Sequence, residues 1–173
     1  MKRARGYAKA RDELIMQWAN LSGQVLRGVD LGRADLAWAN LEEASLEGAD
    51  FSEANLQFAR LKLAALDGCD LTGANLRDAD LRGAQMEGCN LSGADFRDAD
   101  LRQANMPLAG GKNANFERAN LGLACLDESY LIGANFKNAN LEGASLKGVK
   151  LTRGQLKTAK LSGATMPDGS VHD

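Results

Sequence analysis

The sequence contains little of what active sites and metal centres are usually built from. Its 173 residues include one histidine, which is next to the last residue, three cysteines and two prolines. No Cys/His cluster has the spacing of metal ligands, no Ser/His pair suits a catalytic triad, and no glycine-rich phosphate loop is present. We therefore expect no enzymatic activity, no small-molecule substrate and no metal or cofactor.

Long hydrophobic runs are also missing. No apolar run approaches the roughly 18 residues of a membrane-spanning helix, and no short apolar segment follows the basic N-terminus. Two tryptophans, two tyrosines and five phenylalanines leave few large rings for a core. Together with the low cysteine content, these absences predict a cytoplasmic protein with no membrane partner.

What the sequence has in abundance is a repeat of five residues. Every fifth residue from Leu21 to Leu161 gives 29 positions, and all of them except Gly111 are leucine, phenylalanine or methionine. A small residue, usually alanine, precedes nearly all of them by two positions, Gln24 being an exception, and glycine follows twelve of them by two positions. A period of five fits neither an α-helix nor a simple strand. It is typical of a solenoid, in which each repeat buries its apolar face against its neighbours.

The repeat resembles that of the pentapeptide-repeat proteins: a small residue, Asp or Asn, Leu or Phe, Ser, Thr or Arg, and Gly. The full pattern occurs at residues 79–83, and all but its last residue occurs at 74–77 and 94–97. The resemblance covers residues 19–166. It implies an all-β solenoid, a right-handed quadrilateral β-helix in which four repeats make one coil of 20 residues. Residue n would then stack beneath residue n+20.

We expect one domain over residues 1–173, with the β-helix at 19–166 and a C-terminal tail at 167–173. Residues 2–16 do not repeat, and their apolar members fall at helical spacing: Tyr7, Ala8, Leu14 and Ile15. This spacing predicts a short N-terminal capping helix over the open end of the first coil. A basic helix that binds a membrane surface or nucleic acid is the alternative.

Adding 20 to each residue number predicts the columns of the core. Three phenylalanines stack on one face, namely Phe96, Phe116 and Phe136. Cys69 and Cys89 also stack, and we expect them to be small buried hydrophobes rather than a disulfide. Gly111 leaves a hole in a column of large residues, so we expect a distorted face there, with a binding notch as the alternative.

Two groups of outward residues are candidates for protein interaction. Aromatic residues one coil apart form a predicted ladder: Trp18, Trp38 and Phe58. It is either partly covered by the N-terminal segment or an exposed docking patch. Residues 21–100 carry a net charge of −8, and six of their carboxylates form an acidic strip: Asp30, Glu47, Asp50, Asp67, Asp70 and Glu87. This strip either keeps the rod soluble or docks a basic protein partner.

The function that these features favour is a non-catalytic structural or protein-interaction module, a rigid rod that presents flat faces to an unidentified protein. The family resemblance implies an alternative, a DNA mimic that binds DNA gyrase and protects it. The sequence differs from that subgroup by its net charge of only −2, its uninterrupted repeat and the absence of a C-terminal dimerisation helix. We expect no nucleic-acid partner, since only the basic ends favour one, and a monomer, since basic ends repel each other.

Overall fold

The computed structural model of the chain describes residues 9–10, 13–152 and 154–173. Two short strands open it, β1 (Lys9–Ala10) and β2 (Glu13–Leu14), and they pair antiparallel. The chain that follows is a series of tight turns joined by isolated single-residue bridges. The described residues contain no α-helix.

The predicted capping helix over residues 2–16 is wrong for the part of that segment that the structure describes. The chain enters the first coil directly from β2, because the backbone N–H of Asp35 donates to the carbonyl oxygen of Leu14 at 2.9 Å and Ile15 forms a bridge with Asp35. A helix at this point would leave the edge of the second coil without backbone partners. The other residues of the predicted helix lie outside the described residues: 2–8 and 11–12.

The predicted pairing of residue n with residue n+20 is confirmed. Parallel bridges follow this register from Ile15–Asp35 to Ser145–Thr165, with one bridge residue in each repeat except that of Gln155. The bridge residue precedes the large apolar residue, and both carry backbone hydrogen bonds to neighbouring coils. In one repeat, the Asn75 N–H donates to the Ala54 carbonyl at 2.9 Å and the Leu76 N–H donates to the Asp95 carbonyl at 2.8 Å. Four such repeats close one quadrilateral coil.

The corners of the regular coils adopt a left-handed backbone conformation. Glycine supplies it without steric cost at many corners, for example Gly83 with a φ of 66°. Sixteen other residues of the described part of the chain adopt the same conformation, with φ between 56° and 63°, and they include Trp38 and Leu123. The stacking of each corner on its neighbours therefore imposes this geometry even on large side chains, which disfavour it in isolation.

The core is a continuous column of large side chains bordered by small ones. Leu76 is fully buried, as are the three phenylalanines, whose rings stack with centroids 4.9 Å and 5.0 Å apart. Cys69 and Cys89 are buried free thiols that donate to the carbonyl oxygens of Leu46 at 3.0 Å and Leu66 at 2.9 Å, so the expectation of small buried residues is confirmed. Contact with the Cys69 thiol and burial both raise the pKa of Cys89.

Asparagine at the bridge position stabilises the stack in a way that the sequence analysis did not anticipate. The Asn75 side-chain amide donates to the Asn55 side-chain oxygen at 3.1 Å, and Asn55 donates to Asp35 at 3.0 Å. The Asn75 oxygen also accepts the backbone N–H of Arg77 at 3.2 Å. Each asparagine therefore closes its own turn and joins two coils.

The distortion predicted at Gly111 does not occur. Its backbone keeps the regular register, because the Gly111 N–H donates to the Tyr130 carbonyl at 2.8 Å and Gly110 bridges Asn90 and Tyr130. A Cβ atom placed on Gly111 would lie 2.6 Å from Cδ2 of Leu131. The side chain of Leu131 thus fills the space that the glycine leaves in the column.

Gly111→Leu tests this packing. We expect the variant to be less stable than the parent by about 1–3 kcal/mol, because the added side chain competes with Leu131 for filled space. Urea unfolding followed by circular dichroism measures the change. A gain in stability would show instead that the column contains a hole at Gly111.

The C-terminal coil departs from the regular pattern at residues 152 and 154–158. In place of a bridge to Asn135, the side-chain amide of Gln155 donates to the carbonyl oxygens of Leu131 at 2.8 Å and Ala134 at 2.7 Å. The tail then folds back, with the His172 N–H donating to the Ala164 carbonyl at 2.8 Å. Side-chain and tail hydrogen bonds thus replace part of the pairing that a further coil would supply.

Candidate protein-interaction surfaces

The acidic strip lies along one corner of the rod as two adjacent columns. Asp30, Asp50 and Asp70 are successive bridge partners in one column. The carboxylates of the second column lie just before the same corner and follow one another at the coil spacing: Glu47, Asp67 and Glu87. At about 4.8 Å between coils, the like charges in each column are close neighbours. The structure therefore places all six predicted residues on one surface.

Few cations neutralise this strip. Arg27 contacts Glu47 at 3.0 Å. Asp67 accepts the backbone N–H of Glu87 at 2.8 Å, and the other aspartates accept N–H groups of their own turns, such as that of Ser52 on Asp50 at 2.8 Å. Hydrogen bonds from the side chain and backbone of Ser52 lower the pKa of Asp50. This carboxylate is consequently ionised at neutral pH.

Several aspartates in the middle of the rod form ion pairs with arginines. Four arginines lie within 2.5 to 2.7 Å of an aspartate: Arg82 with Asp80, Arg97 with Asp95, Arg102 with Asp100, and Arg118 with Asp98. Hydrogen bonds from the Arg82 side chain lower the pKa of Asp80. The acidic strip differs from these pairs because it has only Arg27 as an ion-pair partner among the described residues.

The predicted aromatic ladder is present at the N-terminal end. The rings of Trp18 and Trp38 stack with centroids 4.9 Å apart, and those of Trp38 and Phe58 are 4.1 Å apart. Trp18 is 68% exposed and Trp38 is 45% exposed, while Phe58 is half-buried. Because the ring faces stack on one another, the ladder presents mainly ring edges and the outer face of Trp18 to solvent.

The structure has a groove on another side of the rod, which the sequence analysis does not predict. Its volume is about 760 Å³ and it spans the coils from Lys62 to Gly143. Exposed Leu63 and Leu123 border it, each leaning over a glycine of the next coil. Gly122 lies where most repeats carry a polar side chain. Two leucine–glycine pairs in this column, Leu63 with Gly83 and Leu123 with Gly143, are the sequence signal that could have revealed the groove.

The described residues contain no group of three or more metal-ligating side chains suited to a metal ion. Within the same ranges, no helix has the length and hydrophobicity needed to cross a membrane.

Comparison with known families agrees with this geometry. A family profile for pentapeptide repeats (8 copies) matches residues 30–68, 69–106, 94–131 and 124–163. The chain belongs to the pentapeptide-repeat family. Pentapeptide-repeat proteins fold as right-handed quadrilateral β-helices, and the expected fold is therefore confirmed apart from the capping helix. Among curated proteins, none matches this sequence.

Two solved pentapeptide-repeat structures are similar to this chain over most of its length. One is HetL, involved in heterocyst differentiation regulation in the cyanobacterium Nostoc sp. strain PCC 7120, with 29% identity, a TM-score of 0.64 and 91% of each chain covered. The other is trypsin-treated QnrB1, a plasmid-mediated fluoroquinolone resistance protein, with 25% identity and a TM-score of 0.82. That similarity covers 89% of this chain and 77% of QnrB1.

Proposed function

We propose that this chain is a non-catalytic protein-interaction module whose acidic strip docks a basic surface of a partner protein. The observation that carries the proposal is the contrast in pairing: arginines neutralise aspartates along the middle of the rod, while the strip pairs with Arg27 alone among the residues that the structure describes. Stacked like charges repel, and neutral asparagine closes the same turns elsewhere in the stack. The fold therefore gains nothing from the charge of the strip, and a cationic partner would relieve the repulsion.

A rigid scaffold suits this role. Each coil is fixed by backbone hydrogen bonds to the coils on both sides, so the spacing of the carboxylates is set before a partner arrives. Preorganisation of this kind lowers the entropic cost of binding. Since the charges are partly exposed, we expect capture of the partner to weaken as the salt concentration rises.

Reversal of charge along the strip tests the proposal. We expect a triple variant, Glu47→Lys, Asp67→Lys and Glu87→Lys, to lose the proteins that the parent captures from lysate of its native host. The matched control changes the same number of exposed carboxylates on other corners: Glu43→Lys, Glu53→Lys and Asp78→Lys. This control should capture the same proteins as the parent, and mass spectrometry compares the three sets.

The strip variant should also keep its β-type circular dichroism spectrum, because none of the three side chains is in the core. If a folded strip variant captures the same proteins as the parent, the strip serves only to solvate the rod. Loss of capture in both triple variants would show a response to net charge rather than to the strip.

A second candidate function is binding to DNA gyrase, with the rod acting as a mimic of DNA. The TM-score of 0.82 to a fluoroquinolone resistance protein favours it. A supercoiling assay with purified gyrase distinguishes this function from the first. The assay is run without and with a quinolone. Inhibition of supercoiling by the parent protein without the drug, or recovery of supercoiling with the drug, would support gyrase binding. Supercoiling that the parent protein does not change under either condition would exclude it.

A further inference from the structure

The groove from Lys62 to Gly143 is self-complementary, and we propose that it is the contact through which two copies of this chain form an antiparallel, side-by-side dimer. Its lining repeats at the coil spacing, so the side chains lie at defined heights along the rod. Gln103 lies at the midpoint, two coils from Leu63 and two coils from Gly143. A twofold axis through Gln103 exchanges the two ends of the groove.

Charges are complementary under this rotation. Lys62 and Glu142 line opposite ends of the groove, four coils apart, or about 19 Å at the coil spacing. Neither has an ion-pair partner among the described residues. In the antiparallel pair, Lys62 of each copy faces Glu142 of the other. The cation nearest the axis, Arg102, is held by Asp100 of its own chain at 2.6 Å, so the axis carries little net charge.

Shape is complementary as well. The rotation exchanges the exposed Leu63 with Gly143 and the exposed Leu123 with Gly83. Each leucine leans toward the next coil, since a Cβ on Gly83 would lie 2.8 Å from Leu63 Cδ2 and a Cβ on Gly143 would lie 2.7 Å from Leu123 Cδ2. Because the two copies run in opposite directions, Leu63 of one copy lies one coil from Leu123 of the other, and the two side chains lean toward each other and meet between those coils. Two apolar contacts thus form symmetrically about the axis.

The polar column beside the leucines fits the same arrangement. Arg82 is exchanged with Gly122, which has no side chain where Arg82 of the second copy would approach. The two Gln103 side chains meet on the axis, where an amide can both donate and accept. The acidic strip lies on a different corner and stays exposed in both copies. This dimer replaces the monomer expected from the charges at the ends of the rod.

Charge exchange between copies tests the dimer. We expect the parent, whose chain mass is 18.4 kDa, to approach twice that mass in light scattering as its concentration rises. Lys62→Glu alone and Glu142→Lys alone should each return the mass to that of one chain, because like charges would then face each other at both ends. An equimolar mixture of the two variants should recover the dimer, since every facing pair is again opposite in charge.

Recovery in the mixture cannot arise within one chain, because Lys62 and Glu142 are four coils apart. Both residues are at the surface, and unchanged circular dichroism of each variant confirms that folding is intact. A parent that stays at one chain mass at every concentration would overturn the proposal. So would single variants that dimerise like the parent, or a mixture that does not recover. Partner capture through the acidic strip is measured separately, so failure of either proposal leaves the other testable.

Discussion

Leu76→Asp is expected to abolish the folded state. Leu76 is fully buried in the middle of the rod, in the same column as Leu56 and Phe96. The change removes the packing of a buried leucine, which contributes about 2–5 kcal/mol, and places a carboxylate where no cation can reach it. The total is comparable with the whole stability of an ordinary domain, about 5–15 kcal/mol. Circular dichroism should show loss of the β-type spectrum and of the cooperative melt.

Asn138→Asp provides the matched control. It also introduces a carboxylate, but at an exposed corner where the left-handed backbone, with a φ of 58°, accepts aspartate. We expect its melting temperature to stay close to that of the parent. A Leu76→Asp variant with the spectrum and melting temperature of the parent would contradict the assignment of Leu76 to the core.

The regular part of the fold could be predicted because one period determines both register and burial. Because the spacing of five is constant, each residue n must stack on residue n+20. The columns of leucine and phenylalanine therefore follow from adding 20 to each residue number. The ends could not be predicted in this way. At the N-terminus, Leu14 and Ile15 fit the spacing of a helix as well as they fit a pairing with the next coil. The backbone pairing with Asp35 decides against the helix. At the C-terminus, Gln155 replaces backbone partners with its side chain.

Side-chain direction limited the prediction of individual sites. The sequence predicts a hole at Gly111, but the side chain of Leu131 in the next coil leans toward the glycine and fills the space. The direction of a side chain cannot be read from the order of residues in a column. The columns of the acidic strip and the aromatic ladder were predictable from the coil spacing. The groove was not predicted, since it depends on Leu63 and Leu123 leaning over neighbouring glycines. The interaction roles of the strip and ladder stay predictions.

Phe116→Ala is expected to cause the second large loss of stability. Its ring lies between those of Phe96 and Phe136, with centroids 4.9 Å and 5.0 Å away, so one truncation removes two stacking contacts. Large-to-small changes of this kind cost about 3–5 kcal/mol where the surroundings cannot collapse. The coils cannot close the cavity, because their spacing is fixed by backbone hydrogen bonds on both sides. Urea unfolding should show a midpoint well below that of the parent.

Phe58→Ala is the control that separates burial from ring stacking. Phe58 also stacks on a neighbouring ring, that of Trp38 at 4.1 Å, but it is half-buried on the outer surface. We expect its truncation to cost only about 1 kcal/mol, the value of an exposed aromatic pair. If the two variants lose equal stability, ring stacking rather than core packing accounts for most of the loss. Because each coil contacts only its neighbours, the mid-rod cavity of Phe116→Ala should also make the two halves unfold less cooperatively.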